Sequence, residues 1–362
     1  MEIHKHYLGS EIHVGHNCLN ILNDFLSGSN QIALKFILVD TNTKQICLPV
    51  FLKELSSLQR FEIIEIQAGD ESKNIENCIK VWEKLTRANV DKDSILISLG
   101  GGMVGDLGGF VASTILRGIK HIQVPTTLLS MVDSSSGGKT GINFLGLKNQ
   151  IGSFYHPKAV YVFPEFLNTL SDRELNSGMA EIAKHGLIAD KFLWNSLSSQ
   201  TSSESANLAQ LIERSIEIKN SFVVRDEKDQ GVRHALNFGH TIGHAIEAYS
   251  LANHKDPLRH GEAIAYGIVA EALLSKSVLG LGESELDEII LYFTRHFDFA
   301  NTKFNVESLL DYAYKDKKNI NGKLNFTLIP QIGLVTINQF ADVEKVRNVM
   351  EQTMQLFNSS VL

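Results

Sequence analysis

The feature that most constrains this 362-residue chain is the run Ser94-Ile95-Leu96-Ile97-Ser98-Leu99 followed at once by Gly100-Gly101-Gly102-Met103-Val104-Gly105-Asp106. A short apolar run of this kind fits a strand buried on both faces of a parallel sheet. Glycines placed directly after it let a ligand approach the backbone with no Cβ in the way. The helix expected over about 104–116 aims its first amides at the same place, which favours a phosphate or pyrophosphate. The spacing is not Gly-x-Gly-x-x-Gly on a first strand, so the ordinary dinucleotide fingerprint is absent. A plain tight strand–helix turn is the competing reading.

The surrounding pattern alternates. Phe36-Ile37-Leu38-Val39 predicts a strand within 31–40 that ends at Asp40, where a strand's carboxyl end faces a ligand crevice. A helix over 45–58, a strand over 61–67, the turn Gly69-Asp70-Glu71-Ser72-Lys73 and a helix over 74–89 lead to the glycine run. A strand over 121–124 then ends in the hydroxyl-rich turn Pro125-Thr126-Thr127. This order predicts a doubly wound α/β nucleotide-binding domain with a mainly parallel sheet. Asp133-Ser134-Ser135-Ser136-Gly137-Gly138-Lys139-Thr140 superficially suggests a P-loop, but Val132 and Asp133 stand where its first glycine is needed. What remains is a small-residue loop with Asp133 and Lys139, followed by Lys148-Asn149. Lys139, Lys148 and Arg117 are expected to meet around one anion; any one of them alone reads equally as a solvated cation.

From about residue 164 the character changes to long amphipathic helices, expected over 172–188, 204–228, 234–249 and 260–279. A serine-rich stretch spans 196–205, Lys315-Asp316-Lys317-Lys318-Asn319 is basic, and a hairpin is expected over 323–337. The length suits two domains: an α/β N-terminal domain over 1–163 and a mainly α-helical C-terminal domain over 164–362. The polar groups of the second are expected to face the glycine-rich crevice of the first.

In the second half, His240 and His244 stand four apart, on one face of the helix expected there. Asn237 and Arg233 continue the same stripe one and two turns earlier. His260 opens another apolar helix, and Glu181 and Lys184 lie one turn apart. A carboxylate and two imidazoles suit a catalytic metal with an open position. Spacing alone pairs His240 with His244, and two surface histidines are the bland alternative. No glutamate follows His240, so this is not the zincin motif.

The net charge of -7 argues against nucleic acid or an anionic membrane as partner, while 43% hydrophobic and 21% charged residues are ordinary for a soluble globular protein. Cys18, Cys47 and Cys78 form no Cys-x-x-Cys pair, which argues against a disulfide framework or a thiolate metal site and fits a reducing compartment. There is no basic-then-apolar leader and no apolar run of membrane length, so a cytoplasmic location is expected.

Taken together, these motifs resemble the 3-dehydroquinate synthase family of sugar-phosphate cyclases. The resemblance is carried by residues 100–106 (Gly-Gly-Gly-Met-Val-Gly-Asp), Arg117-Gly118, 124–129 (Val-Pro-Thr-Thr-Leu-Leu) and 132–143 (Val-Asp-Ser-Ser-Ser-Gly-Gly-Lys-Thr-Gly-Ile-Asn). It continues through Leu147-Lys148-Asn149, 180–186 (Ala-Glu-Ile-Ala-Lys-His-Gly), 236–247 (Leu-Asn-Phe-Gly-His-Thr-Ile-Gly-His-Ala-Ile-Glu), His260-Gly261-Glu262-Ala263 and Asp316-Lys317-Lys318. Each motif is weak alone; jointly, and in the family's order, they are specific.

The resemblance implies conversion of a small phosphorylated sugar acid, 3-deoxy-D-arabino-heptulosonate 7-phosphate, to 3-dehydroquinate and phosphate. It also implies tightly held NAD, one divalent ion (zinc or cobalt) and a homodimer. By resemblance the metal ligands are Glu181, His240 and His260, which makes His244 a proton-handling substrate contact and disagrees with the pairing drawn from spacing. Lys139, Lys184, Lys219, Arg233 and Asn237 join His244 as catalytic positions, and Arg117, Asp133, Asn149 and Lys317 or Lys318 as substrate contacts. NAD contacts are expected at Asp40, Gly101, Gly102, Asp106, Thr126, Thr127, Lys148 and Thr169, with Asp70 and Lys73 near the ribose. Asp70 stands where the family usually has glutamate, and Ser136 where an apolar residue is commoner. The connection from His244 to His260 is a few residues longer than usual. The rival readings are another sugar-phosphate cyclase and a metal-dependent polyol dehydrogenase of the glycerol type. The latter gives no role to Arg117, Lys139, Asn149 and Arg233.

Overall fold

Two short strands, β1 (Ile3–Tyr7) and β2 (Ser10–Val14), open the chain and pair antiparallel around Leu8 and Gly9, both at positive φ (47° and 82°). The computed structural model describes residues 3–28, 30–55, 58, 60–145, 147–198, 208–297, 304–314 and 323–359. After α1 (Cys18–Ser27), strands and helices alternate: β3 (Lys35–Asp40), α2 (Thr41–Ile46), α3 (Leu48–Glu54), β4 (Phe61–Ile66), α4 (Ile75–Arg87), β5 (Ile95–Gly100), α5 (Gly102–Thr114) and β6 (Lys120–Pro125). A separate hairpin, β7 (Lys139–Phe144) and β8 (Leu147–Phe154), precedes β9 (Ala159–Val162). The seven-stranded sheet runs β1-β2-β9-β6-β5-β3-β4. Every pairing except β1 with β2 is parallel. All six residues of β3 and of β5 are buried, as strands covered on both faces must be.

The expected doubly wound sheet is therefore present, and its core joins Phe36, Leu38, Ile64, Leu96, Val104, Leu107 and Val111. The later glycines of the α5 run serve packing. A Cβ on Gly108 would come within 2.0 Å of Ser98 Oγ, so α5 lies closer to β5 than any side chain permits. The helix expected over 45–58 is two helices, because Pro49 stands in the first turn of α3 and has no N–H to continue α2. α5 stops at Thr114, and Ile115–Arg117 form a 3-10 turn with Leu116, Arg117 and Gly118 at φ 49°, 60° and 111°.

The chain divides into two units, Met1–Ser171 and Asp172–Leu362. The second contains α6 (Asp172–Ala189), α7 (Lys191–Ser198), α8 (Leu208–Arg225), α9 (His240–Asn253), α10 (His260–Leu279), α11 (Glu283–His296) and α12 (Val306–Tyr314). A hairpin of β10 (Asn325–Gln331) and β11 (Leu334–Phe340) and the helix α13 (Val343–Ser359) complete it. α10 is buried almost all round, from Ala263, Ile264 and Ala265 to Ile268, Val269 and Ala270, and packs against α6, α9, α11, α13 and β10. A helix apolar on every side belongs at the centre of its unit.

The helix expected over 234–249 begins at His240 instead. Val232–Asn237 is a 3-10 turn, Phe238 is extended at ψ 128°, and Gly239 is left-handed at φ 80°. Gly239 presses its backbone against α10, where a Cβ would meet Ile268 Cγ1 at 2.4 Å and Ile268 N at 3.0 Å. Arg233 and Asn237 therefore do not extend the stripe of α9. The greater part of the serine-rich stretch, with Lys317 and Lys318, lies outside the described residues. Among the described residues no helix is long and apolar enough to cross a membrane.

Candidate metal and nucleotide sites

In the second unit three helices bring donors together. Glu181 and Lys184 sit one turn apart on α6, 0% and 1% exposed, and Lys184 Nζ donates to Glu181 Oε2. Glu181 Oε1 lies 3.6 Å from His240 Nε2 and 3.7 Å from His260 Nε2. Ligands at zinc–oxygen and zinc–nitrogen lengths in a tetrahedron stand about 3.4 Å apart, so this spacing fits a divalent ion better than hydrogen bonds. His240 Nδ1 donates to Phe238 O at 3.1 Å, which leaves Nε2 as the lone-pair nitrogen on the Glu181 side. One donor from each of Glu181, His240 and His260 falls within 4.8 Å of the others; so does one from each of His244, Glu247 and His260. Among the described residues no such group joins His240 with His244, although their ring centroids are 5.1 Å apart.

Burial pulls the His260 imidazolium down, but Glu247, with Oε2 at 3.4 Å from His260 Nδ1, and Glu181 outweigh it and raise the pKa to about 9. The pocket thus demands positive charge, which a proton or a divalent ion supplies. Lys219 on α8 and Arg233 are 5% and 3% exposed, and Arg233 Nη1 donates to Glu227 O at 2.8 Å. Asn237 ends the 3-10 turn, and His244 is half-buried on α9.

Two supporting residues escaped the motif reading. Glu271 on α10 is fully buried, and its carboxylate accepts from Gly239 N (2.7 Å), Thr241 N (2.9 Å) and Ile242 N (3.0 Å). It caps the helix that His240 opens, a place where negative charge also meets the positive end of the helix dipole. A lone acid in the apolar run Ile264–Leu274 was the available signal. Arg173 on α6 binds Glu262 (2.6 and 2.9 Å), Asp256 (2.9 Å) and Pro257 O (3.0 Å), which ties down the approach to His260.

In the first unit the amides at the start of α5 receive no side-chain cap, since Gly101 is the N-cap. Cβ atoms on Gly101 and Gly102 would lie 3.2 Å from Thr127 Cγ2 and 3.0 Å from Ser134 Oγ, so the turn is already lined. Beside it Lys73, 5% exposed, binds Asp106 Oδ2 and Asn149 Oδ1, each at 2.5 Å. Asn143 bridges Asp70 Oδ2 (3.1 Å) and Asn149 N (3.0 Å), and Lys148 Nζ is 3.5 Å from Asp70 Oδ2. Asp70, Lys73, Asp106, Lys148 and Asn149 thus form one network. Thr126 N donates to Gly100 O at 3.0 Å, and Thr127 Oγ1 and Ser130 Oγ are 2.8 Å apart. Asp40 Oδ1 caps α2 through Asn42 N (2.9 Å) and Thr43 N (2.8 Å), and Thr169 Oγ1 donates to Phe166 O at 2.6 Å.

Lys139, Lys148 and Arg117 are not gathered round one point. Lys139 is exposed at the open end of the β7–β8 hairpin, and Asp133 lies in the turn Ser130–Ser134. Arg117 follows α5, whose 13 residues carry the chain about 20 Å from the glycine turn. Arg117 thus stands just past the end of the helix that the glycine turn opens, as expected, but away from Lys148 at the other end of it.

An α/β unit with a glycine turn followed by a helical unit with a carboxylate–histidine set is a fold found in solved structures. The crystal structure of 2-deoxy-scyllo-inosose synthase complexed with carbaglucose-6-phosphate, NAD+ and Co2+ matches with a TM-score of 0.83 at 21% identity, covering 97% of this chain and 100% of that one. Sequence narrows the class. The family model described as 3-dehydroquinate synthase N-terminal matches residues 63–177, and that described as 3-dehydroquinate synthase C-terminal matches residues 178–319. The 3-dehydroquinate synthase of Parabacteroides distasonis is 41% identical over 330 residues, 90% of this chain and 92% of the relative. That of Dictyoglomus turgidum is 41% identical over 308 residues, 83% and 85% respectively. The chain belongs to the 3-dehydroquinate synthase family.

Proposed function

We propose that this chain is a 3-dehydroquinate synthase, a carbon–oxygen lyase that converts 3-deoxy-D-arabino-heptulosonate 7-phosphate to 3-dehydroquinate and phosphate. Family membership supports the reaction, and the observation that carries the site is the convergence of Glu181 Oε1, His240 Nε2 and His260 Nε2. Those three residues would hold one divalent ion, zinc or cobalt. The uncapped start of α5 with Gly101 and Gly102 would hold the NAD pyrophosphate. Thr126, Thr127, Asp106 and Lys148 stand near that turn or in its network, with Asp70 and Lys73 for the ribose and Asp40 and Thr169 as further contacts. When bound, the ion supplies a Lewis acid for a substrate hydroxyl, and NAD supplies a hydride acceptor regenerated in each turnover.

The chain's own side chains bind, orient and move protons. Lys184 is held by Glu181 and so presents a fixed ammonium. Arg233, anchored on Glu227 O, offers its remaining guanidinium donors to an anion. Lys219 and Asn237 add donors, and His244 exchanges a proton with substrate. Lys139 offers a cation to an anionic group of the substrate, and Asn149 and Asp133 are assigned to its other polar groups by family pattern. Lys317 and Lys318 are assigned by family pattern alone. Arg117 is assigned to the substrate by family pattern, and a homodimer acting in the cytoplasm is part of the same reading.

The test is an assay of phosphate release after chelation, with single metals added back. Zinc or cobalt should restore a rate that the chelated protein lacks. Full activity in metal-stripped protein contradicts the reading. Net NADH formation would identify a polyol dehydrogenase instead.

A further inference from the structure

The strands that open the chain carry His4-Lys5-His6 and Glu11-Ile12-His13. Alternate residues of a strand share a face. The register sets His4 opposite His13 and His6 opposite Glu11, so four titratable side chains occupy one face of β1–β2. On the other side of β2, Tyr161 of β9 is paired with His13. The rings of His4, His13 and Tyr161 stack with centroids 4.5 and 4.8 Å apart. Glu11 Oε2 lies 3.7 Å from His4 Nε2 and 3.4 Å from His13 Nε2. One donor atom from each of the three is within 4.8 Å of the others. Glu11 Oε1 is 3.9 Å from Lys158 Nζ, so the carboxylate gives one oxygen to a lysine and turns the other toward the imidazoles.

His13 is the telling residue. It is 4% exposed, and neither ring nitrogen makes a hydrogen bond, whereas buried polar groups in native interiors are paired. Stacking accounts for its ring faces, while Nε2 is turned to Glu11 Oε2 at 3.4 Å without making a hydrogen bond and Nδ1 makes none. Burial, then the neighbouring His4, holds its pKa below the ordinary histidine value in spite of Glu11.

We propose that His4, Glu11 and His13 form a second divalent-metal site, on the first unit and separate from the Glu181 set. Two imidazoles and one carboxylate select a zinc-, nickel- or copper-class ion over calcium or magnesium, which prefer oxygen ligands throughout. His13 and Glu11 provide the fixed edge of the site. His4, exposed on the outer strand, swings its ring out of the stack to complete it, and waters fill the remaining positions.

The experiment strips the full-length protein with chelator, dialyses it against zinc chloride alone, and counts bound zinc by elemental analysis and native mass spectrometry. The parent should hold two zinc ions, and His260→Asn should lose one of them. His4→Asn and Glu11→Gln, both at accessible positions where folding is expected to survive, should lose the other and bind it at least tenfold more weakly. His13→Gln should behave in the same way if it folds. Unchanged zinc content in both His4→Asn and Glu11→Gln overturns the proposal. So does an equal loss in His16→Asn, which would mark general binding by a histidine-rich segment.

Discussion

Glu271→Gln is a small change in shape with a large expected effect. The two carboxylate oxygens accept three backbone N–H groups at the start of α9, Oε2 from Gly239 and Oε1 from Thr241 and Ile242. A glutamine amide has one accepting oxygen, so at best it keeps the two bonds to Thr241 and Ile242 and turns its NH2 toward the Gly239 N–H. One charge-assisted bond, worth about 1.5–3 kcal/mol, is lost. Favourable charge at the helix N-terminus, about 0.3–2 kcal/mol, goes with it. The expected destabilisation is about 3 kcal/mol, or a fall of about 6–12 °C in Tm for a unit of this size. Because His240 is the first residue of α9, the same change should also weaken zinc retention. Calorimetry of metal-free protein isolates the stability effect, and zinc titration then reads the positioning effect. A metal-free Tm within 1 °C of the parent would refute the reasoning about the buried carboxylate.

The metal assignment predicts that His240→Ala loses zinc, whereas His244→Ala keeps zinc and loses rate; equal metal loss in both variants, by elemental analysis, contradicts it. Gly101→Val should abolish NAD binding in calorimetry, and Gly101→Ala, whose Cβ meets Thr127 Cγ2 at 3.2 Å, should fold and bind NAD more weakly. Unchanged NAD affinity in both would remove the cofactor from this turn. His121 is buried against Ser98 Oγ at 3.0 Å, and burial pushes its pKa down to about 3 from an ordinary 6.5. The unfolded chain takes up that proton first, so the contribution is complete above pH 6.5 and is lost toward pH 3, by about 1.4 kcal/mol per pH unit. Between pH 6 and 4.5, His121→Gln should therefore show a shallower fall of stability than the parent in urea unfolding, and parallel slopes would contradict this.

The buried strands β3 and β5 were legible because a strand covered on both faces is largely apolar, and β4 and the helix after it were legible from their periodicity and turn residues; β6, with His121 and Gln123 buried in it, carries a weaker signal of this kind. The hairpin β1–β2 was not, since histidines, lysine and glutamate alternate there with few apolar residues. Nor was β7–β8, whose glycines and serines read as a loop and whose pairing is set by contact with α5. The donors Glu181, His240 and His260 were legible as a set only through the family resemblance: spacing along one helix favoured His244, and the packing of α10 against α6 and α9 is what brings His260 into place. The start of α9 was misplaced for a related reason. Helical periodicity runs on through Arg233 and Asn237, and the left-handed Gly239 that interrupts it is dictated by Ile268, a residue 29 positions away.

The most direct test follows the fate of the substrate's phosphate and of the cofactor together. Protein loaded with NAD and zinc is given the heptulosonate phosphate, phosphate and 3-dehydroquinate are quantified by NMR, and NADH absorbance is followed throughout. One phosphate and one 3-dehydroquinate are expected per substrate consumed, with no net NADH at completion. Substrate consumed with NADH accumulating and phosphate retained would contradict this.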